Sequence, residues 1–139
     1  MGQQHLLLAL MVSILVAISA ATTAYDILEQ NNLPRGLLPQ GVKSYVRSPD
    51  GKVEVTLPGV CEFFVTLGGS QYKFRYARTI GGIVQSGSIH EAYGAEIQVK
   101  FEWIGINQVE RAGDQLTIQA QKFRQSFPVN NFNESPRCN

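Results

Sequence analysis

Residue types that build metal sites and nucleophilic sites are scarce in this sequence. It has two histidines and two cysteines among 139 residues, and one histidine, His5, precedes a long apolar run. A zinc site needs three or four close ligands, and neither an Asp-x-Asp-x-Asp calcium loop nor a glycine-rich phosphate loop occurs. The sequence therefore predicts no metal site and no cofactor.

An excess of charge of either sign is also lacking. The 12 Lys and Arg residues nearly balance the 11 Asp and Glu residues, which leaves a net charge of +1. The densest basic run, Lys73, Arg75 and Arg78, is interleaved with aromatic residues, but strand alternation places Tyr72 and Phe74 on the opposite face. Nucleic-acid recognition needs aromatic and basic side chains on one face, so we expect no nucleic-acid partner.

The only long hydrophobic run spans residues 6–18 and is broken only by Ser13. A helix of that length is too short for the roughly 30 Å hydrocarbon core of a bilayer. Small residues follow at positions 19–24, which predicts a signal peptide over residues 1–21, cleaved after Ala21 or Ala24. The segment before the run lacks Lys and Arg, which keeps a short uncleaved anchor as the alternative. Residues 22–139 are expected to form one extracellular domain without a membrane span.

Apolar periodicity predicts a mainly β, antiparallel domain with a short N-terminal helix. Thr23 and Asp26 have capping-box spacing, and Pro34 ends the helical segment. From Val42 onward the apolar period is two, with turn residues every 8–12 positions. This pattern indicates seven or eight strands in a β-sandwich or a flattened pseudo-barrel.

The same alternation predicts strand pairings. The turn at residues 48–51 sets Val46 opposite Val53, and the next two turns continue a meander. In that meander Val53 lies opposite Val65, and Val65 lies opposite Phe74. The glycine-rich segment at residues 79–94 predicts bulges and a break between the meander and the later strands.

Several strings along the chain resemble a plant family known as domain of unknown function 538. They are the residues at 25–29, 33–39, 42–45, 59–62, 126–129 and 136–138, of which Leu-Pro-Arg-Gly-Leu-Leu-Pro at 33–39 is the most specific. The resemblance implies a β-sandwich or pseudo-barrel, a stress-associated role and location in the apoplast or cell wall. It also implies likeness to bactericidal permeability-increasing lipid-binding domains, or a chlorophyll-hydrolysing activity. It supplies no matched catalytic motif.

Two covalent features are expected if the chain is secreted. Cys61 and Cys138 are an even pair in an oxidising route, which predicts a disulfide, with two free thiols as the alternative. Asn133 begins an Asn-Glu-Ser glycosylation pattern, and the following Pro136 lowers its expected use.

Three functions remain open from the residues. The leading hypothesis is a non-enzymatic module that binds an apolar small molecule or lipid in a gap lined by Phe63, Phe74, Phe101 and Trp103, although the same side chains could simply fill a core. The second is an esterase-type hydrolase that uses His90 as general base, for which no Gly-x-Ser-x-Gly elbow exists. The third is a structural or protein-interaction domain. No catalytic residue is assigned, and the oligomeric state is left open.

Overall fold

The computed structural model describes residues 22–139, so the predicted signal peptide lies outside the described residues. Helix α1 (Ala24–Gln30) and a 3₁₀ turn (Arg35–Leu37) come first, and a second 3₁₀ turn (Val129–Phe132) follows the last strand. The strands are β1 (Ser44–Arg47), β2 (Lys52–Thr56), β3 (Cys61–Leu67), β4 (Ser70–Gln85), β5 (Ser88–Val99), β6 (Glu102–Gly105), β7 (Gln108–Ala112), β8 (Gln115–Ala120) and β9 (Phe123–Pro128). The predicted mainly β, antiparallel fold with a short N-terminal helix is confirmed.

Helix α1 begins at the capping box that the sequence predicts. The Asp26 backbone N–H donates to Thr23 Oγ1 at 3.2 Å, and the Thr23 N–H donates to Asp26 Oδ2 at 2.9 Å. Each bond satisfies a backbone donor that the first helical turn would otherwise leave unpaired. The backbone hydrogen bond from Thr23 is the main reason that the pKa of Asp26 is lowered.

Two long strands, β4 and β5, form the centre of a single nine-stranded sheet. Strands β3 and β2 lie end to end along the edge of β4 that does not pair with β5. Strands β6 and β7 lie end to end along the edge of β5 that does not pair with β4. The sheet order is β1-β2-β4-β5-β7-β8-β9, and it does not close into a barrel.

The predicted meander through β2 and β3 is wrong. Strand β2 pairs with the second half of β4, where Val55 lies opposite Ile80, and not with β3. Strand β3 pairs with the first half of β4, where Phe63 lies opposite Phe74. The predicted Val65–Phe74 pair is thus displaced by two residues, because Gly68 and Gly69 form a two-residue turn. A shift of two keeps every side chain on its predicted face.

The β1–β2 register is wrong by one residue. Val53 lies opposite Arg47 instead of Val46, because the turn contains an extra residue, with Gly51 at a φ of +91°. Positive φ is the conformation that glycine adopts at this kind of bulge. The change of face leaves Val46 65% exposed.

The glycine-rich segment does not break the sheet, but it does bend it. Apart from the turn at Ser86 and Gly87, residues 79–94 belong to β4 and β5, and the pairing register shifts between Tyr76 and Ile83. Gly94 has a φ of +83°, and a Cβ there would lie 2.4 Å from the Thr79 carbonyl oxygen. The predicted bulges are therefore present, and the predicted separation is not.

The bent sheet folds over on itself and encloses the core. The ring of Phe127 in β9 makes an edge-to-face contact with that of Tyr72 in β4, with 5.2 Å between the ring centroids, and its centroid lies 6.3 Å from that of Phe74. Strands β9 and β4 are not neighbours in the sheet. The two layers of the predicted sandwich are thus parts of one sheet. Within residues 22–139, no helix is long and apolar enough to span a bilayer.

Candidate functional site

The N-terminal helix and the turn after it cover part of the inner face of the sheet. Helix α1 buries Ala24, Ile27 and Leu28, and the following turn buries Leu37 and Leu38. We call residues 24–38 the cover. Because its apolar side chains pack against the sheet, the cover forms one side of the hydrophobic core.

A cavity of about 90 Å³ lies between the cover and the sheet. Its lining is almost entirely apolar. Ile106, between β6 and β7, is part of it, and the sheet contributes Val53, Val55, Phe74, Tyr76, Ile80, Gly81, Gly82, Val84, Ile89, Ala92, Tyr93, Ala95, Val109 and Ile118. Pockets that enclose a drug-sized ligand usually have a volume of about 300 Å³ or more. Dry apolar cavities on the order of 150 Å³ bind benzene-sized guests. The cavity therefore suits a small apolar group or the end of an alkyl chain.

Both tyrosine hydroxyls of the lining already have hydrogen-bond partners. The Tyr76 hydroxyl donates to the Leu37 carbonyl at 2.7 Å, and the Tyr93 hydroxyl donates to Glu54 Oε1 at 2.7 Å. Burial raises the pKa of Tyr76 above its ordinary value, and burial together with Glu54 raises the pKa of Tyr93 to about 12. Both phenols are neutral near pH 7, so the cavity presents apolar surface without a phenolate charge.

Further tyrosine hydroxyls hold the ends of the cover in place. The Tyr25 hydroxyl donates to the Pro39 carbonyl at 2.5 Å and accepts the Val42 N–H at 3.3 Å. The Tyr45 hydroxyl of β1 donates to the Thr22 carbonyl at 3.0 Å. The Tyr25 bonds therefore tie α1 to the chain that follows the cover, and the Tyr45 bond ties the residue before α1 to the sheet.

The C-terminal tail lies against the same region. Cys61 and Cys138 form a disulfide with a Cα–Cα distance of 4.8 Å, in the predicted pairing. The Gln40 N–H donates to the Pro136 carbonyl at 2.8 Å, and the Asn139 N–H donates to the Glu62 carbonyl at 2.9 Å. The tail therefore connects the buried start of β3 to the chain just after the cover.

The four residues predicted to line a gap do not meet around one cavity. Phe74 lines the cavity, whereas Phe63 stacks on Phe74 at 5.3 Å within the core and is not part of the lining. Phe101 is 93% exposed, and Trp103 lies on the outer face beneath Arg75, 4.2 Å from the guanidinium. The predicted alternation through residues 97–103 is wrong because β5 and β6 are joined by a two-residue turn. That turn sets Trp103 opposite Gln98.

His90 has a serine partner close in sequence. Its Nε2 lies 3.0 Å from Ser88 Oγ, and both residues are on β5. Ile89 between them lines the cavity, so Ser88 and His90 lie on the other face of the sheet. Among residues 22–139, the His90 ring makes no hydrogen bond to a carboxylate, and no group of three or more His, Cys, Asp or Glu could hold a metal ion.

Asn133 is exposed at the end of the second 3₁₀ turn. It borders an open groove of about 470 Å³ that is also lined by Tyr25, Arg35 and Gln40. The Ser135 hydroxyl donates to the Arg35 carbonyl at 3.2 Å. In the folded domain the serine of the predicted glycosylation pattern therefore has a backbone partner, while the asparagine faces solvent.

Sequence reasoning missed the cover as part of a site. Its signal was present in the apolar spacing of Ala24, Ile27 and Leu28, followed by Leu37 and Leu38. That spacing indicates a buried helix face, but it does not indicate incomplete packing beneath the helix. A space of about 90 Å³ depends on the shapes of side chains from five strands, the β6–β7 connection and the cover.

Comparison with known proteins gives a family without an assigned activity. Residues 24–133 match the model of a family described as "Protein of unknown function, DUF538". No curated protein and no solved structure matches the chain at a significant level. The match spans the cover, all nine strands and the second 3₁₀ turn. The chain is therefore a member of the DUF538 family.

Proposed function

We propose that this chain is a secreted, non-enzymatic binding domain whose ligand inserts a small apolar group between the cover and the sheet. The observation that carries the proposal is the apolar cavity of about 90 Å³ beneath α1. The end of an alkyl chain fits both its size and its chemistry, because burial of apolar surface would supply the binding free energy. The volume is too small to enclose a whole lipid, so the remainder of a long ligand would lie outside the cavity.

An extracellular location is part of the proposal. It rests on the apolar run at residues 6–18 and on the Cys61–Cys138 disulfide, since disulfides persist mainly in oxidising compartments. Glycosylation of the exposed Asn133 would follow from the same route.

Filling the cavity tests the binding function. Ala95 lines the cavity and faces the same way as buried Tyr76, its partner across the β4–β5 pair, so Ala95→Leu places three extra carbons in the space. Ala112→Leu makes the same change at an exposed position outside the lining. Decanoic acid should raise the melting temperature of the wild type and of Ala112→Leu, but not of Ala95→Leu.

The outcome of that titration separates binding from an interaction role. If decanoic acid does not change the melting temperature of the wild type, the cavity is a packing defect and the interaction-domain alternative is favoured. If Ala95→Leu responds as the wild type does, binding occurs elsewhere. Circular dichroism of each variant establishes that the comparison is made between folded proteins.

An ester hydrolase is the second candidate, because one specific contact favours it. The 3.0 Å separation of Ser88 Oγ and His90 Nε2 is that of a nucleophile and its general base. In such a reaction His90 would take the serine proton as Ser88 attacks the ester carbonyl, and the protonated ring would return it to the leaving alcohol. Water would then hydrolyse the acyl-enzyme.

Two substitutions and one control test the hydrolase. Ser88→Ala and His90→Ala should each abolish hydrolysis of p-nitrophenyl esters, if Ser88 and His90 act together. Ser126→Ala is the matched control, because Ser126 is also a strand serine with a side-chain partner, the Thr117 hydroxyl at 2.8 Å. Equal rates in all four proteins would exclude this pair as a catalytic site.

A further inference from the structure

The two-residue turn between β5 and β6 combines two unfavourable features. Lys100 and Phe101 have φ values of +50° and +71°, a conformation that such turns usually assign to asparagine and glycine. A bulky side chain at positive φ is a steric outlier. Phe101 is also 93% exposed, the highest exposure among the large hydrophobic residues of the described chain. Neither feature contributes to packing within residues 22–139.

The surroundings of the turn leave Phe101 uncovered. Strand β4 begins and β5 ends at the same end of the sheet, because Phe74 lies opposite Ile97. The adjacent β3–β4 turn consists of Gly68 and Gly69, which have no side chains and open space around them. Phe101 therefore projects from the end of the domain that also holds the turn of Gly68 and Gly69.

We propose that this turn inserts Phe101 into the interfacial region of a lipid bilayer. A projecting aromatic side chain next to a lysine suits that region, because the ring can enter the acyl boundary while the ammonium stays among the headgroups. A protein partner is less suited, since a stable protein interface buries about 800 Å² on each side and a two-residue tip offers far less. Under this proposal, the function of the strained backbone is to present the ring outward.

The charges near the turn point to a neutral headgroup surface. Lys73 and Arg75 are paired with carboxylates, Lys73 with Glu62 at 3.4 Å and Arg75 with Glu96 at 2.9 Å. Within residues 22–139, Lys100 and the exposed Lys122 form no ion pair, and Lys122 is at this end because its neighbour Phe123 contacts Tyr72. Two lysines are fewer than the cluster of about four to eight basic residues that attracts anionic lipid. We expect binding to phosphatidylcholine vesicles that changes little between low and high salt.

The chain supplies its own reporter for this contact. Trp103 is the only tryptophan, and it lies two residues from Phe101. Vesicles of phosphatidylcholine should shift the Trp103 emission of the wild type to shorter wavelength. Phe101→Ser should weaken partitioning about tenfold or more, because burial of a phenylalanine ring is lost. Val46→Ser is the matched control, since Val46 is 65% exposed on β1, and it should partition as the wild type does.

A glycine variant separates membrane insertion from a packing role. Phe101→Gly removes the ring and adopts positive φ without strain, so it should lose partitioning without a fall in melting temperature. A lower melting temperature would show that Phe101 packs within the domain and would overturn the proposal. Equal partitioning of Phe101→Ser and wild type would also overturn it, as would failure of the wild type to bind vesicles.

Self-association of the protein would identify a different partner for Phe101. Self-association of the wild type that Phe101→Ser abolishes would replace the bilayer by a second copy of the chain and contradict the proposal. The experiment is independent of the cavity, because Phe101→Ser should leave the response to decanoic acid unchanged and Ala95→Leu should leave vesicle binding unchanged. Failure of one proposal is therefore distinguishable from failure of the other.

Discussion

The Tyr76 hydroxyl donates a 2.7 Å hydrogen bond to the Leu37 carbonyl and so joins the centre of the sheet to the cover. Both groups are buried, and the bond connects residues 39 positions apart. Because the cover lines the cavity, this bond links the stability of the domain to the shape of the proposed binding site.

Removal of that hydroxyl should destabilise the domain measurably. Tyr76→Phe leaves the Leu37 carbonyl buried without its partner, which should lower the free energy of unfolding by about 1–3 kcal/mol. Urea denaturation followed by circular dichroism measures the change. Tyr72→Phe is the control, because the Tyr72 hydroxyl bonds to the side chain of Gln125 at 3.3 Å and not to the cover. Equal effects of the two substitutions would contradict the role assigned to Tyr76.

The contacts of Thr22 and Thr23 predict different stabilities for the products of the two predicted cleavages. A chain that begins at Thr22 keeps the Thr22 carbonyl, which accepts from Tyr45, and Thr23, which caps α1. A chain that begins at Tyr25 would lack both and would place a charged amino group at the helix N-terminus, where positive charge is unfavourable. N-terminal sequencing of the native protein should find a start at one of these two positions. A chain beginning at Tyr25 should be less stable by about 1 kcal/mol or more, the usual effect of a lost cap.

The capping box also predicts a dependence of stability on pH. The pKa of Asp26 is lower in the folded chain than its ordinary value of 3.8, so its ionised form is favoured by folding. The resulting stabilisation is present above pH 3.8 and is lost as the pH falls through the folded pKa. Asp26→Asn should therefore flatten the dependence of unfolding free energy on pH below about 4. If the unfolding free energy of Asp26→Asn depended on pH below about 4 as that of the wild type does, Asp26 would not be a cause of that dependence.

The disulfide should make a large contribution to the free energy of unfolding. Cys61 and Cys138 are 77 positions apart, and closure of a loop of that size stabilises by about 4 kcal/mol in the chain-entropy model. The double variant Cys61→Ser, Cys138→Ser should lose most of this amount in urea denaturation. It should also loosen the contact between Gln40 and Pro136, which hydrogen exchange of the Gln40 amide would detect. Protection of that amide equal to wild type would show that the tail is held without the disulfide.

Periodicity predicted the secondary structure and the core faces better than it predicted the pairing. The pattern of β2 and β3 is compatible with mutual pairing and with both strands lying along β4, because both arrangements bury the same residues. The length of β4 decides between them, because a strand of 16 residues can pair with both β2 and β3 along one edge. The glycines within β4 interrupt the apolar alternation, so the sequence did not reveal that length. The β1–β2 register depended on one bulge at Gly51, which apolar alternation does not reveal.

The candidate site was less predictable than the fold, for a physical reason. Phe74 could be assigned to the inner face from alternation, but Trp103 could not, because a turn at Lys100 and Phe101 has neither of the residues that mark such turns. The cavity arises from imperfect packing between distant segments, and no local pattern encodes it. The capping box of Thr23 and Asp26, in contrast, is a local interaction, and it was predicted correctly.

The most direct test of the binding site is a titration of decanoic acid followed by the methyl resonances of isotope-labelled isoleucine. Ile27 of the cover and Ile118 of β8 line the cavity, whereas Ile83 and Ile104 do not. The proposed function predicts saturable shift changes at Ile27 and Ile118, with Ile83 and Ile104 unchanged. Resonances of Ile27 and Ile118 that do not move at saturating probe would contradict it.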